Sequence, residues 1–373
     1  MQYRSLWKNG PKVSVVGLGG MRFYRKPEEE ALAIVRRALD LGVTLFETGK
    51  GYGDGLSQTL FGRVLKDVRD RVVLADKVGV DEKDTADTVR RRLEDSLKRR
   101  QTDHFDLFSF WGINRPEMHD ALFARGGPLD GALRARDEGL VRALGLTTHA
   151  QPEDIVAFVE RYPWDVITLK CNLLSRRQEA TLPVLGQRGV GVIVMNPLGG
   201  GTVARPGPEV RAMFAAAGQR PAVLGLRYLV ANPAVSSAIS GMSSVAEVEE
   251  NVAAGAVEGP LTAAEERLVA AIQERLKGLG DNFCTACGYC LPCPEGVGIS
   301  NIFTLWNMTR GYGAEGYPQL EYRKMLDQNH WAEYRGRAAD ACQACGECEK
   351  KCPNSLPIIA DLKRAHEDLT RKG

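Results

Sequence analysis

Val72-Val73-Leu74-Ala75, then Thr85–Arg99, then Phe105-Asp106-Leu107-Phe108-Ser109-Phe110 follow one another with no long break between them. The first and last are apolar runs of strand length. The middle stretch carries its apolar residues three and four apart, which is helical spacing. A helix between two such strands is the pattern of a parallel β–α–β unit. Outward from it, strand-length runs recur at Val43–Glu47, Ala143–Leu146, Val166–Leu169, Gly191–Met195 and Ser237–Ile239. Helical periodicity fills the gaps at Glu28–Leu41, Leu56–Asp67, Asp130–Glu138, Pro152–Arg161, Ala180–Arg188, Pro221–Asn232 and Val245–Ala253. Strand followed by helix, repeated about eight times between Val13 and Ala254, predicts an α/β chain folded as a (β/α)8 TIM barrel. An open doubly wound sheet is the rival. Gly17-Leu18-Gly19-Gly20 resembles its dinucleotide loop but lacks the third glycine, and it runs into Arg22-Phe23-Tyr24-Arg25-Lys26-Pro27 rather than into a helix. A further helix at Ala263–Leu276 and the break Gly278-Leu279-Gly280 divide the chain into a barrel over 1–279 and a second domain over 280–373.

Eight of the nine cysteines fall in that second domain, in two runs. Cys284, Cys287, Cys290 and Cys293 are spaced C-x2-C-x2-C-x2-C-P; Cys342, Cys345, Cys348 and Cys352 are spaced C-x2-C-x2-C-x3-C-P. The second is the bacterial ferredoxin spacing for iron–sulfur ligation, and the first differs by one residue. Short gaps let successive sulfurs converge on one small object, so the two runs predict two [4Fe–4S] clusters. In two-cluster ferredoxins the fourth Cys of each run ligates the other cluster. The expected sets are therefore Cys284, Cys287 and Cys290 with Cys352, and Cys342, Cys345 and Cys348 with Cys293. A pair of four-thiolate zinc sites is the alternative, although zinc ribbons need only two C-x2-C pairs. A disulfide scaffold fits poorly, since only Cys171 lies in the rest of the chain.

Forty-nine basic and 47 acidic residues leave a formal charge of +2, which gives no electrostatic basis for binding nucleic acid or a membrane. The Lys98-Arg99-Arg100 run ends a predicted helix, where cations suit the dipole. Met1–Gly20 has no apolar stretch of signal-peptide type, and no run of the chain could span a bilayer. A cytoplasmic location is expected.

In a barrel, chemistry gathers at the C-terminal strand ends. Those ends read Phe46-Glu47-Thr48-Gly49-Lys50-Gly51-Tyr52-Gly53, Asp76-Lys77, Trp111-Gly112 and Asn196-Pro197-Leu198-Gly199-Gly200. Together with Val13-Ser14…Gly17-Leu18-Gly19-Gly20-Met21-Arg22, Ser96-Leu97-Lys98-Arg99…Thr102-Asp103…Asp106-Leu107 and Glu249-Glu250-Asn251, these phrases resemble the aldo/keto reductase superfamily. The resemblance extends over nearly the whole chain to the branch with a C-terminal, α-helical, ferredoxin-like dicluster domain. It implies a catalytic set of Tyr52 as proton donor, Lys77 beside it and Glu47 in place of the family's Asp. Trp111 stands in the slot of the family's His. A Tyr52 next to an ammonium is expected to have a lowered pKa. Trp111 can offer an indole N–H or an aromatic wall but no charge.

For the family's nicotinamide cofactor, NAD(H) or NADP(H), the resemblance points to Thr147, Thr148, Thr168, Asn172 and Met195. It adds Gly199 and Gly200 for phosphate, with Ser243, Ser244 and Asn251 at the last barrel helix. Glu247 occupies the slot that often holds an Arg for a 2′-phosphate, a charge that would repel it. His149, after strand five, is placed where it could substitute for the missing His, although a surface histidine is the plainer reading. Glu47 and Lys77 also read as a simple buried ion pair, Cys171 as a packed thiol, and Trp306, Tyr312, Tyr317 and Tyr322 as core of the cluster domain.

Three functions follow. The first is an iron–sulfur oxidoreductase acting on a small molecule, with a ferredoxin or other electron-transfer protein as partner. The second is an NAD(P)H-dependent carbonyl reductase with structural or redox-sensing clusters. The third is a non-catalytic electron-transfer or scaffold subunit.

Overall fold

The computed structural model describes residues 1–81, 83–277, 284, 290–314, 316–329, 332, 334–352 and 355–371. Ten strands and fifteen α-helices are defined there. The barrel strands are β3 (Val16–Gly19), β4 (Leu45–Glu47), β5 (Val73–Gly79), β6 (Phe105–Trp111), β7 (Val141–Thr148), β8 (Val166–Lys170), β9 (Gly191–Met195) and β10 (Ser237–Ser240). They are parallel in chain order, and β10 closes on β3 through Ala238–Val16, Ile239–Gly17 and Ser240–Leu18. The preceding hairpin, β1 (Tyr3–Ser5) with β2 (Lys12–Ser14), is antiparallel. The intervening helices are α1 (Glu28–Asp40), α2 (Leu56–Leu65), α3 (Ala86–Arg100), α4 (Pro116–Ala121), α5 (Pro128–Asp137), α6 (Pro152–Arg161), α7 (Thr181–Gln187), α8 (Pro208–Ala216), α9 (Pro221–Val230) and α10 (Val245–Val252). After the barrel come α11 (Ala263–Lys277), α12 (Ile299–Tyr312), α13 (Tyr317–Leu326), α14 (Glu347–Lys350) and α15 (Ile358–Thr370). No helix among the described residues is long and apolar enough to cross a membrane.

Alternation along each strand builds two cores. Leu45, Val73, Ala75, Leu107, Ala143, Val166, Ile193 and Ile239 fill the lumen, joined by Leu6 and Val13 from the hairpin, which plug its N-terminal end. Their neighbours in sequence, such as Phe46, Leu74, Phe108, Leu144, Ile167 and Val192, face the helix layer. Continuing the inward phase, five strands turn polar or aromatic at their C-terminal ends, at Glu47, Lys77, Trp111, Thr147 and Thr168. The chemistry of the mouth is thus a consequence of strand parity.

The alternation read from sequence is the one observed, with α4, α8 and the hairpin added to it. The strand missing from the sequence reading is β3. Gly17 and Gly19 remove its apolar signature, and tight packing requires the first of them: a Cβ at Gly17 would stand 2.9 Å from Ile239 Cγ2. Compactness groups Met1–Leu198 with Ala222–Leu261, and Gly199–Pro221 with Thr262–Gly373. Gly199–Pro221 joins the second unit because the loop and helix after Leu198 pack with the later helices. The Gly207 N–H donates to Tyr312 O (3.1 Å), Tyr312 Oη donates to Val203 O (2.9 Å), and Arg275 bonds Gly311 O and Glu209.

His119 of α4 is buried in the first unit, stacked on Phe158 at 4.4 Å, and its Nε2 accepts from Trp164 Nε1 at 3.1 Å. Burial and the nearby Arg161 hold this imidazole down at about 4, against an ordinary 6.5. Between those values the unfolded chain binds the proton and the folded chain refuses it, so stability falls as pH drops from 6.5 through about 4. In thermal melts His119→Phe is expected to flatten this decline. An unchanged pH dependence would show that other groups cause it.

Candidate active site and cluster domain

β4 ends at Glu47, and the chain turns back through Gly49, where Tyr52 N–H donates to Gly49 O (3.0 Å). A Cβ at Gly49 would meet Lys77 Cγ at 2.8 Å, so only glycine lets the turn lie against the lysine stem. Lys77 Nζ donates to Glu47 Oε1 and, at 2.6 Å, to Tyr52 Oη. Glu47 and Lys77 are each only 5% exposed. Trp111, at the end of β6, presents its edge to Tyr52 (centroids 5.2 Å, 68°), and Lys77 Nζ stands 4.7 Å from the indole centroid. Lys77 therefore touches each of the other three residues expected to act with it.

The electrostatics correct one expectation. Burial pushes the Tyr52 phenol above its ordinary 10.0, and the Lys77 cation offsets this only in part, with Glu47 adding to the rise. For Lys77 burial works downward, but Glu47 and Tyr52 outweigh it and hold the ammonium well above its usual range. At neutral pH the site contains a neutral phenol hydrogen-bonded to a permanent cation, an arrangement that can deliver a proton to an oxygen gaining negative charge.

The positions expected to hold a nicotinamide are engaged within the protein. Thr147 Oγ1 accepts the Gly112 N–H (3.0 Å); Thr148 Oγ1 donates to Ile113 O (2.6 Å) and accepts from Ala150 N (2.9 Å). Both hydroxyls pin the β6–α4 loop. Asn172 Nδ2 donates to Asn196 O (3.0 Å) and its Oδ1 accepts from Leu174 N (2.9 Å). Ser243 N–H and Oγ both reach Glu247 Oε2, Ser244 Oγ caps the Glu247 N–H, and Asn251 Nδ2 ties α10 to Ser240 Oγ. Thr168 is buried and Met195 half-buried at their strand ends. Gly199 and Gly200 form a 3-10 turn in the second compact unit. A carboxylate already holds the helix terminus that a phosphate would need, so these residues fit a nicotinamide dinucleotide poorly. His149 is exposed, and Cys171 is fully buried with its thiol pushed up to about 12, which leaves it inert.

In the second unit Cys290, Cys293, Cys342, Cys345 and Cys348 line one concavity. Thiols of both runs thus share one site, which fits an iron–sulfur group better than two separate ions. A short bridge between Val297 and Arg337 joins the segments that follow and precede the two runs. Cys284 O accepts from Asn307 Nδ2 (2.9 Å), while Cys287 and Pro353 lie outside the described residues. Of the four aromatics expected as core, Trp306, Tyr312 and Tyr322 are buried and Tyr317 is half-buried.

Eight parallel strands closed in chain order and their intervening helices define a (β/α)8 barrel protein with an appended cysteine-rich domain. A profile of the aldo/keto reductase family matches residues 15–274, and one of the 4Fe-4S dicluster domain matches residues 281–356. The chain belongs to the aldo/keto reductase family. L-galactose dehydrogenase of Arabidopsis thaliana is 33% identical over 320 residues, covering 75% of this chain and 96% of that one. Aldo-keto reductase AKR11C1 from Bacillus halodurans (holo form) superposes with a TM-score of 0.62 at 26% identity, over 73% of this chain and 96% of its own. An aldo/keto reductase from Klebsiella pneumoniae in complex with NADP and acetate gives 0.63 at 24% identity, over 73% and 95%, a likeness of fold.

Proposed function

We propose that the chain is a cytoplasmic iron–sulfur oxidoreductase that reduces a small carbonyl compound at the barrel mouth. The observation that carries this reading is Lys77 Nζ joining the Glu47 carboxylate and the Tyr52 hydroxyl in one buried contact. Tyr52 gives its proton to the carbonyl oxygen, Lys77 stabilises the tyrosinate left behind, and Glu47 keeps Lys77 charged and aimed. Trp111 walls the site and excludes water from the Tyr52–Lys77 bond. Cys284, Cys287 and Cys290 with Cys352, and Cys342, Cys345 and Cys348 with Cys293, would hold two [4Fe–4S] clusters, each able to carry one electron; a carbonyl-to-alcohol reduction would take two electrons from them, one proton from Tyr52 at oxygen and a second proton from water at carbon. The partner is a ferredoxin or similar protein.

Anaerobic protein with full clusters, titrated with NADH, NADPH and a reduced ferredoxin, tests the reading. Cluster absorbance is expected to bleach with ferredoxin and to ignore both nucleotides. Carbonyl turnover with NADH or NADPH that cluster reduction leaves unaffected would favour the second reading, an NAD(P)H-dependent enzyme of sugar-like substrates, which the one-third identity to L-galactose dehydrogenase supports. The crossed ligand sets make a separate prediction. Cys293→Ala and Cys345→Ala should each remove the same cluster and about half the iron, with matching spectra of what remains. Different residual spectra would mean each run holds its own cluster.

A further inference from the structure

Behind the site, on the helix-facing side of the same two strands, stand two more buried charges. Asp76 precedes Lys77, so strand alternation turns it to the opposite face of β5, where it is 1% exposed. Its carboxylate accepts Gln58 Nε2 on both oxygens (2.9 and 3.1 Å) and the Lys77 N–H on Oδ1 (2.9 Å), all neutral donors. Arg100, the last residue of α3, is also 1% exposed. Its Nη2 lies 3.5 Å from Phe46 O, next to Glu47, and its guanidinium lies 5.0 Å from the Phe61 ring. Its Nε and Nη1 have no hydrogen-bond partner. A buried cation without a bonded carboxylate calls for an explanation.

Across the two strands the charges alternate in sign: Arg100 behind β4, Glu47 in front of it, Lys77 in front of β5, Asp76 behind it. In a low-dielectric interior such groups are coupled, and a proton gained by one alters the others. The neighbours that face this set are Gln58 from α2, Arg99 (3.4 Å from Gln58 Oε1) from α3, and Asp106 from β6, which is itself paired with Arg69 (2.9 Å) and Arg142 (2.8 Å).

We propose that Asp76 and Arg100 are positioning residues, a buried outer pair whose proton occupancy sets how readily Tyr52 releases its proton. Burial pushes the Asp76 carboxyl up to about 7 against the pull of Arg100, so it changes charge in the working range. Arg100 remains a cation there. Ionised Asp76 opposes the negative charge growing on Tyr52 Oη; protonated Asp76 does not, and Tyr52 becomes the better acid as pH falls through neutrality. This rests on Tyr52 as proton donor, whereas the coupling itself can be read without substrate.

The test is pH-difference infrared spectroscopy of the whole protein. A carboxylic-acid carbonyl band titrating near neutrality is expected, and Asp76→Asn should abolish it. Arg100→Gln removes a cation and should carry the band's midpoint to higher pH; Glu47→Gln removes an anion and should carry it lower. These opposite shifts are read on native Asp76, so they survive a failure of Asp76→Asn to fold, whereas a merely structural pair would leave the pH profile of turnover unmoved in Asp76→Asn. Absence of the band, or a midpoint that neither variant moves, overturns the proposal. If Tyr52→Phe turns over normally while the shifts persist, the proton-donor reading fails and the coupling stands.

Discussion

Tyr52→Phe is expected to lower carbonyl turnover by about 10²–10⁴-fold, the usual contribution of a positioned general acid. The substitution keeps the ring that meets Trp111 edge-on at 5.2 Å and removes only the hydroxyl bonded to Lys77. Lys77 retains Glu47, so the barrel should fold and the iron content should not change. The loss should fall on kcat with KM nearly constant, because the proton moves only in the transition state. In the parent protein the alkaline limb of activity should lie above pH 10, since burial holds the phenol above that ordinary value. Steady-state kinetics with a reduced electron donor, beside an iron assay, would decide it. Turnover equal to the parent's would leave the barrel as a docking body.

The second large effect is on stability. Glu47→Leu leaves Lys77, with 5% of its side chain exposed, as an uncompensated buried cation, a change that costs about 3–5 kcal/mol. In the parent the Lys77 pKa is raised, so its contribution is fully present below the unfolded value of 10.5 and is lost as pH rises through the higher folded value. In the variant only Tyr52 opposes burial, and the folded pKa is expected to drop below the unfolded one. The sign inverts: stability should then fall as pH decreases. Denaturant melts across pH would show this. The double variant Glu47→Leu with Lys77→Met should recover much of the loss, because both charges leave together. If the double costs the sum of the singles, the two residues are independent and the pairing argument is wrong.

Parts of this protein were legible because local chemistry writes them directly. Parallel strands buried on both faces need apolar runs, and helices on a barrel need a 3.6-residue stripe, so residue spacing alone marks β5, α3 and β6. Glu47, Tyr52, Lys77 and Trp111 were legible through resemblance to a family, and parity places Glu47, Lys77 and Trp111 at the mouth. β3 was not legible, because its glycines lack apolar side chains and Gly17 meets a demand of the neighbouring strand that no local rule contains. The hydroxyls of Thr147 and Thr148 looked available for a cofactor in sequence. Two of their partners, Gly112 and Ile113, follow β6, which only strand pairing brings beside β7.

The sequence by itself determined the strand–helix alternation, the two cysteine runs and the residue types at the strand ends, since each depends on spacing along the chain. Only the tertiary structure decided which polar groups remain available to a ligand. It also decided the protonation of Tyr52, and the set of Asp76 and Arg100 behind Lys77 and Glu47. Those outcomes depend on burial and on partners distant in sequence. Burial raises the Tyr52 pKa where an adjacent ammonium alone would lower it, and that balance exists only once the barrel has excluded water.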